Sequence, residues 1–343
     1  MDFTLSDEQL MFADTARTLF GDTCTPEHWR KMMEQDVAFD AARWAALAEN
    51  GFTLLMLPES VCGLGLAELD MALIAQEAGY VALPEPLAES AGVAMPMLAA
   101  LAPDHPLLAD PATILAIAPA ANPIVVAADR AAAILVEQGG HAFLAVPDAV
   151  TLVPAPTVDP LRRVFRLEMD ASRAEDLGPA DWGLAYDRAA LFAAAQGLGL
   201  AQRSVDLAVA YAKERTQFGK PIGSYQAVKH HLSSAQVAIE FARPVLLAAA
   251  AGIGAQDVYS RARISHAKIV ALEAADQAAR AAIQVHGGMG YSWEVDVHLF
   301  LKRALALTNA WGTPAHHRAR IAERLFNRPA GPDQTFARES ANA

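Results

Sequence analysis

The sequence predicts a mostly α-helical protein, in which a small central β domain separates an N-terminal helical domain from a C-terminal four-helix bundle. The 343-residue chain is 53% hydrophobic, which is enough to bury a large core in two or three domains. Much of this apolar content is Ala, which favours closely packed helices over sheets. Helical periodicity stops near Pro103 and returns from Asp181 onward, with short apolar runs between.

Residues 1–110 are predicted to form the N-terminal helical domain. Ser6 is a predicted N-cap because two carboxylates and Gln9 follow it, and the next apolar residues have helical spacing. A glycine-containing loop spans residues 58–65. A further helix ends at Gly79, and a proline-marked turn precedes a last helical stretch to about Leu101.

Residues 111–180 are predicted to form the β domain. Residues 137–141 contain two glycines between two apolar runs, which indicates a hairpin. The apolar runs are short, and they cover residues 114–117, 124–127, 133–136, 143–146, 151–153 and 164–169.

Residues 181–328 are predicted to form the bundle. Apolar residues alternate in steps of four and three from Val228 to Ala249 and from Ile264 to Val285, so two long helices have narrow, Ala-rich seams. Two more helices are predicted at about 187–214 and 295–310. Residues 329–343 are predicted to be a tail.

The composition excludes several classes of protein. Lys and Arg total 27 against 39 Asp and Glu, and the net charge of −12 repels nucleic-acid phosphates and anionic membranes. The longest uncharged window, residues 111–128, contains three prolines and predicts no membrane span. The N-terminus has no secretory signal pattern. Two cysteines cannot form a disulfide framework, so we expect a cytoplasmic protein.

Motifs for dinucleotide, phosphate, zinc-protease and serine-hydrolase sites are absent from the sequence. His230 and His231 are adjacent, as are His316 and His317, so each pair points about 100° apart on a helix and cannot chelate one metal. We therefore predict no metal site, and we expect these histidines to be polar residues on helix surfaces.

Two loops carry more chemistry than a helix end requires. In residues 214–222, Arg215 lies one turn before Gly219, where its guanidinium can bind a phosphate beside open backbone amides; a simple helix-end cap is the alternative. In residues 284–291, Gly287, Gly288 and Gly290 exceed what a helix C-cap needs and permit close approach of a ligand or a second subunit.

The combination of these motifs resembles the acyl-CoA dehydrogenase family of flavoproteins. The resemblance spans nearly the whole chain, and the two C-terminal motifs are its most specific part. The matching residues are Phe3 to Gln9, Leu57-Pro-Glu59 with Gly63-Leu-Gly65, the Glu77 region, Arg215-x-x-Phe218-Gly219, Gln226, Gln284-Val-His-Gly287-Gly288-Met-Gly290-Tyr291 and Trp311-Gly-Thr313.

The resemblance implies that FAD is the cofactor and that an acyl-CoA thioester is the substrate. Arg215, Gln217 and Phe218 would contact FAD from one subunit, with Arg215 at the pyrophosphate. Gln284, Gly287 and Gly288 would reach the same FAD from a neighbouring subunit, so the resemblance implies at least a dimer. Thr313 would lie close to the adenosine-proximal part of the flavin site, and Gln226 is a candidate for the adenine side.

The family reaction needs a carboxylate base, and this chain lacks it at both positions where the family carries one. Trp311 occupies the position before the Gly-Thr turn, and Ala189 occupies the alternative position on the preceding helix. Asp187 is about 200° away around that helix. The family's flavin-covering segments also lack a counterpart in the β domain.

These departures resemble the short subunits of heteromeric acyl-CoA dehydrogenases, including those that act on sterol side-chain thioesters. In that case a Glu-bearing partner supplies the base; the chain as a homo-oligomer is the alternative. An electron-transfer flavoprotein or a similar carrier would accept the electrons.

Two alternative functions remain at this stage. A non-catalytic scaffold or regulatory subunit would bind no flavin, and a flavin-dependent oxygenase or oxidase would not need the Glu. Trp293 is a candidate for an acyl pocket or for packing, and Glu294 is a candidate for a relocated base or for a solvated loop charge.

Overall fold

The computed structural model of the chain describes residues 4–35, 37–121 and 124–327. The predicted tail, residues 329–343, lies outside the described residues. The predicted fold class is confirmed: helices at both ends of the chain enclose a small β domain.

Six helices form the N-terminal part. They are α1 (Asp7–Thr23), α2 (Pro26–Glu34), α3 (Ala41–Glu49), α4 (Glu68–Tyr80), α5 (Leu87–Glu89) and α6 (Met95–Leu101), and one π-helical turn, Ser90–Ala94, joins the last two. The predicted cap of α1 is confirmed, because Ser6 and Gln9 form a reciprocal capping box.

The described residues of the β domain contain seven strands. The predicted hairpin joins β3 to β4, and its turn contains Gly139 and Gly140, both with positive φ. One sheet has the order β1-β3-β4-β7 and the other the order β2-β6-β5. The strands are β1 (Leu115–Ala118), β2 (Ile124–Val126), β3 (Ala133–Gln138), β4 (His141–Ala145), β5 (Val150–Ala155), β6 (Val164–Met169) and β7 (Glu175–Pro179).

The C-terminal part contains five helices in the described residues, one more than predicted. They are α7 (Trp182–Glu214), α8 (Gln226–Gly252), α9 (Val258–His286), α10 (Val297–Asn309) and α11 (Pro314–Asn327), and a two-residue hairpin, β8 (Thr216–Gln217) with β9 (Lys220–Pro221), follows α7. The additional helix α11 lies on α9 and is largely polar, so it shows little of the continuous apolar seam on which the prediction relied.

The N-terminal helices join the bundle through a crossing of α4 and α7. A Cβ atom on Gly79 would lie 2.1 Å from the carbonyl oxygen of Gln196, and one on Gly199 would lie 1.9 Å from that of Gln76. Because neither position has room for a side chain, the two backbones are in direct contact. This crossing sets the position of α7 relative to the N-terminal domain.

One buried arginine links all three parts of the chain. Arg303 on α10 pairs with Asp159 of the β domain, and its Nη1 donates a hydrogen bond to the carbonyl oxygen of Leu83 at 2.9 Å. Both side chains of the ion pair are almost fully buried. The link holds the C-terminal half of α10 against the β domain, where a crevice forms.

The segment Gln226–Ala255 has the length and apolar composition of a membrane-spanning helix. It comprises α8 and the turn after it, and its buried stripe, Leu232, Ala235, Ile239, Ala242 and Leu246, packs inside the bundle against α7 and α9. A core helix of a water-soluble bundle has the same composition, so this helix is weak evidence for a membrane span.

Candidate cofactor and active site

The two predicted cofactor motifs meet at one end of the bundle. We call this surface, formed by residues 215–226 and 284–288, the motif end. The ring of Tyr211, in the last turn of α7, stacks on that of His286, at the end of α9, with centroids 4.2 Å apart. Antiparallel α8 begins at the same end. The structure therefore brings Arg215, Gln217, Phe218, Gln226, Gln284, Gly287 and Gly288 into one region of a single chain.

The arginine of the first motif is available to an anion. Arg215 is exposed, and within the described residues it forms no ion pair. Its backbone is held by hydrogen bonds to Tyr211 and Ile222. The guanidinium therefore has its N–H groups free for bidentate contact with a phosphate.

Phe218 forms the tip of the hairpin after α7. Its φ is +53° and that of Gly219 is +80°, and the Phe218 side chain is 92% exposed. The Tyr225 ring meets Phe218 edge-on, and its hydroxyl donates to the Gln217 carbonyl oxygen at 3.3 Å. A strained, fully exposed phenylalanine is a contact for a ligand or for another chain.

The glycine loop of the second motif is open. Gly287 has φ +61°, and a Cβ atom on Gly287 or Gly288 would contact nothing. These glycines are therefore not required by packing within the chain, in contrast to Gly290, whose Cβ would lie 2.6 Å from the Ile283 carbonyl oxygen. Gln284 and Gln226 are both exposed at this end.

Thr313 does not lie at the motif end. Its hydroxyl accepts from the backbone N–H of His316 at 3.3 Å and caps α11. His317 of that helix contacts Ser265 on α9, and Ser265 lies about 30 Å from His286 at about 1.5 Å per residue. Thr313 and the motif end of one chain therefore lie near opposite ends of α9.

A cavity of about 200 Å³ lies between the β domain and the end of α10. We call this cavity the crevice. Its walls are Ile117, Ile124, Val126, Pro156, Thr157 and Val164 of the β domain, Ala306, Asn309, Ala310 and Trp311 at the end of α10, and Glu89 with Arg162. Small-molecule pockets typically have about 300–1,000 Å³, so this cavity is too small for a flavin ring together with an acyl chain.

Trp311 closes one side of the crevice. It is buried, has φ +58° and meets the ring of Tyr186 edge-on at 6.0 Å. The other predicted base position, Ala189, is also buried. Asp187 pairs with Arg320 on α11 at 2.5 Å, and burial raises the pKa of its carboxyl. Glu294 is exposed, which supports the solvated loop charge rather than a base.

The crevice contains one carboxylate among the described residues, Glu89, which the sequence prediction missed. Glu89 on α5 pairs with Arg162, and both side chains are nearly buried. Glu89 therefore serves as the counter-charge of the buried Arg162 guanidinium. The sequence signal for this site was Glu89 itself, a single charged residue in the otherwise uncharged stretch 87–101.

Two family models match the chain: "Acyl-CoA dehydrogenase, N-terminal domain" over residues 6–104 and "Acyl-CoA dehydrogenase, C-terminal domain" over residues 179–326. The acyl-CoA dehydrogenase IpdE2 of Mycobacterium tuberculosis is 34% identical over 329 residues, which cover 95% of this chain and 100% of that protein. The chain belongs to the acyl-CoA dehydrogenase family.

Solved structures of the family agree with the fold. The ChsE4-ChsE5 complex from Mycobacterium tuberculosis matches with a TM-score of 0.85 and 25% identity, covering 96% of this chain and 100% of the matched chain. The Tcur3481-Tcur3483 steroid acyl-CoA dehydrogenase variant matches with a TM-score of 0.83 and 25% identity, covering 93% and 98%. Both are complexes of two different proteins.

FAD is the cofactor of the acyl-CoA dehydrogenase family, and this chain fits it unevenly. The free guanidinium of Arg215 fits a pyrophosphate, and the lack of side chains at Gly287 and Gly288 leaves room for a ligand beside the backbone. The crevice beside Trp311 lacks the volume for an isoalloxazine ring together with an acyl chain. The motif end and the crevice are two separate regions of the chain.

The predicted division of the FAD contacts between subunits needs revision. The sequence interpretation places Arg215 and Gly287 on different subunits, whereas a single chain carries both at its motif end. Which subunit supplies each of these residues to one FAD stays a prediction. The expectation for His317 is also wrong, because it is 1% exposed and not on the helix surface.

Proposed function

We propose that this chain is the Glu-lacking subunit of a heteromeric FAD-dependent acyl-CoA dehydrogenase. The observation that carries the proposal is Trp311: it occupies the position of the family base and closes its crevice to about 200 Å³. The motif end remains open and cationic at Arg215. The chain therefore contributes its motif end to a cofactor site completed by another subunit.

In the proposed complex, the partner provides the carboxylate base and the cavity for the flavin ring and the acyl chain. FAD supplies the hydride acceptor for the β-hydrogen of the thioester. Arg215 holds the pyrophosphate by charge-assisted hydrogen bonds, and the missing side chains of Gly287 and Gly288 let the same phosphates come close to the backbone. Gln217, Phe218, Gln226 and Gln284 line this half of the site. An electron-transfer flavoprotein or similar carrier is the proposed electron acceptor.

The substrate class is an acyl-CoA thioester, and sterol-derived thioesters are the first to test. One structural neighbour is a steroid acyl-CoA dehydrogenase, which supports this choice. The compartment we propose is the cytoplasm.

The test is purification of the chain alone and after co-expression with a Glu-bearing family member. We expect the complex to retain one FAD for each pair of unlike subunits and to reduce a dye acceptor with acyl-CoA, and the chain alone to do neither. Replacing the partner's base by Gln is expected to abolish dye reduction while FAD stays bound.

Three results would overturn the proposal. Activity of the chain as a homo-oligomer would exclude the shared site. Absence of flavin absorption near 450 nm in the assembled complex would indicate the scaffold subunit. Oxygen consumption with reduced flavin would indicate the oxygenase or oxidase.

A further inference from the structure

A buried lysine caps the helix that carries Trp311. Lys268 lies in the middle of α9 and is 2% exposed. Its Nζ donates to the carbonyl oxygens of Leu307 at 2.6 Å and Ala310 at 2.8 Å. Carbonyls in the last turn of a helix have no partner within the helix. Lys268 therefore supplies both donors from a neighbouring helix.

A histidine holds the next carbonyl along the chain. The Nε2 atom of His317 lies 3.0 Å from the Trp311 carbonyl oxygen, and its Nδ1 atom lies 3.1 Å from the Ser265 hydroxyl. Because a carbonyl oxygen only accepts, Nε2 carries the hydrogen and Nδ1 accepts from Ser265. Three carbonyls around the Trp311 turn are thus held by side chains of α9 and α11.

The backbone of this turn has a strained conformation, which these contacts hold in place. Trp311 has φ +58°, a conformation that a residue with a Cβ atom rarely adopts. Gly312 has φ +102°, and a Cβ atom there would lie 2.8 Å from both His316 and His317. A strained turn persists only where its surroundings determine it, and here Lys268 and His317 do so.

The turn separates two cavities. On one side is the crevice, into which Trp311 packs. On the other is a cavity of about 340 Å³ between α9, α10 and α11, whose lining next to the turn includes Lys268, Thr308, Pro314 and His317. There is therefore room beside the turn on the side away from the crevice.

We propose that Lys268 is the positioning residue that keeps the Trp311 side chain in the crevice, with the larger cavity as the space that the turn enters when the lysine contacts are lost. The inference rests on the proposed function, because it explains how the crevice stays closed. Lys268 acts through Leu307 and Ala310 and touches no substrate.

The test measures the exposure of Trp311 in the purified full chain. Acrylamide quenching is compared between each protein and its Trp311→Phe counterpart, so that the difference reports Trp311 alone. In Lys268→Met, which removes both donors at similar volume, we expect the quenching constant of Trp311 to rise severalfold, toward that of Trp293, which is 63% exposed.

Arg318→Met is the matched control. It removes the exposed ion pair between Arg318 on α11 and Glu273 on α9. It therefore removes another cationic side-chain contact to α9 near the turn and leaves the contacts of Lys268 to Leu307 and Ala310 in place. We expect no rise in Trp311 quenching. A second variant, Lys268→Gln, retains N–H donors in its amide, and we expect an intermediate rise in its Trp311 quenching constant. This variant keeps the test available if Lys268→Met does not fold.

A purely structural role for Lys268 predicts a different result. The free energy of unfolding would then fall in Lys268→Met and Lys268→Gln while Trp311 quenching in the folded protein stayed unchanged, which would overturn the inference. The measurement uses no partner and no flavin. Its failure is therefore distinguishable from failure of the heteromeric complex to bind FAD.

Discussion

At the scale of single residues, buried charged and polar groups surround the Trp311 turn. Burial is the largest cause that lowers the pKa of His317 to about 3, with the nearby Lys268 charge next, and burial also lowers the pKa of Lys268 to about 7. Both groups sit beside the Trp311 turn. Folding therefore favours the neutral form of each group relative to the unfolded chain, and this links the stability of the protein to pH.

The first prediction concerns His317 and acid. In the unfolded chain a histidine has a pKa of about 6.5, so between about pH 6.5 and pH 3 the unfolded state binds a proton that the native state excludes. Stability contributed by this group is therefore present above pH 6.5 and is lost as the pH falls, by up to about 1.4 kcal/mol per pH unit.

Urea unfolding between pH 4 and pH 7 measures this slope. We expect His317→Phe to reduce the slope and the exposed neighbour variant His316→Phe to leave it unchanged. Equal slopes in all three proteins would contradict the assignment of the acid sensitivity to His317.

The second prediction concerns the ion pair in the crevice. Glu89→Gln leaves the Arg162 guanidinium buried without its counter-charge, which costs about 3–5 kcal/mol. The double variant Glu89→Gln, Arg162→Met removes both charges, and it is expected to recover most of that loss. Chemical denaturation of the three proteins measures the difference, and a double variant no more stable than Glu89→Gln would show that the charges do not compensate each other.

At the scale of elements, the crossing of α4 and α7 is the closest contact in the N-terminal half. Gly79 and Gly199 allow two backbones to touch, and α7 continues from there to both the crevice and the motif end. The separation between the two ends is therefore set by one rigid helix of about 50 Å.

The third prediction tests this crossing. Gly199→Ala places a methyl group against the Gln76 backbone. Overpacking typically costs about 1–3 kcal/mol, and we expect this variant to lower the free energy of unfolding by more than that. Gly21→Ala, on α1 with open space around its Cβ, is the control and is expected to stabilise by about 0.5–1 kcal/mol. Urea unfolding measures both, and equal effects would contradict the close contact.

At the scale of the whole molecule, the two regions that carry the predicted FAD contacts differ in their exposure. The motif end exposes Arg215 and Phe218, whereas the crevice beside Thr313 is closed by Trp311. In the proposed complex, only the predicted FAD contacts at the motif end therefore bind the shared cofactor.

The fourth prediction separates these residues in the assembled complex. Arg215→Ala is expected to weaken FAD retention by about tenfold to a hundredfold, since hydrogen bonds to charged groups contribute about 1.5–3 kcal/mol. Thr313→Ala is expected to leave FAD retention unchanged, as is Arg243→Ala, a control on α8 whose half-buried side chain pairs with Glu240. Equal losses from Arg215→Ala and Thr313→Ala would show that the crevice of this chain also binds FAD.

The sequence by itself determined the order of helical, β and helical parts, the cap at Ser6, the β hairpin and the two cofactor motifs. These features depend on local periodicity, on capping and turn residues, and on motifs contiguous in sequence. Trp311 and Ala189 were identified in the same way, because each occupies one position in a recognisable pattern.

Only the tertiary structure decided that Arg215 and Gly287 share one end of a single chain, that Thr313 lies far from both, and that Glu89 and Arg162 meet beside Trp311. Glu89 and Arg162 are 73 positions apart, and Lys268 is 39 and 42 positions from the carbonyls it binds. Such contacts follow from how helices and sheets pack, and the burial that perturbs the pKa of Lys268 and His317 exists only after packing.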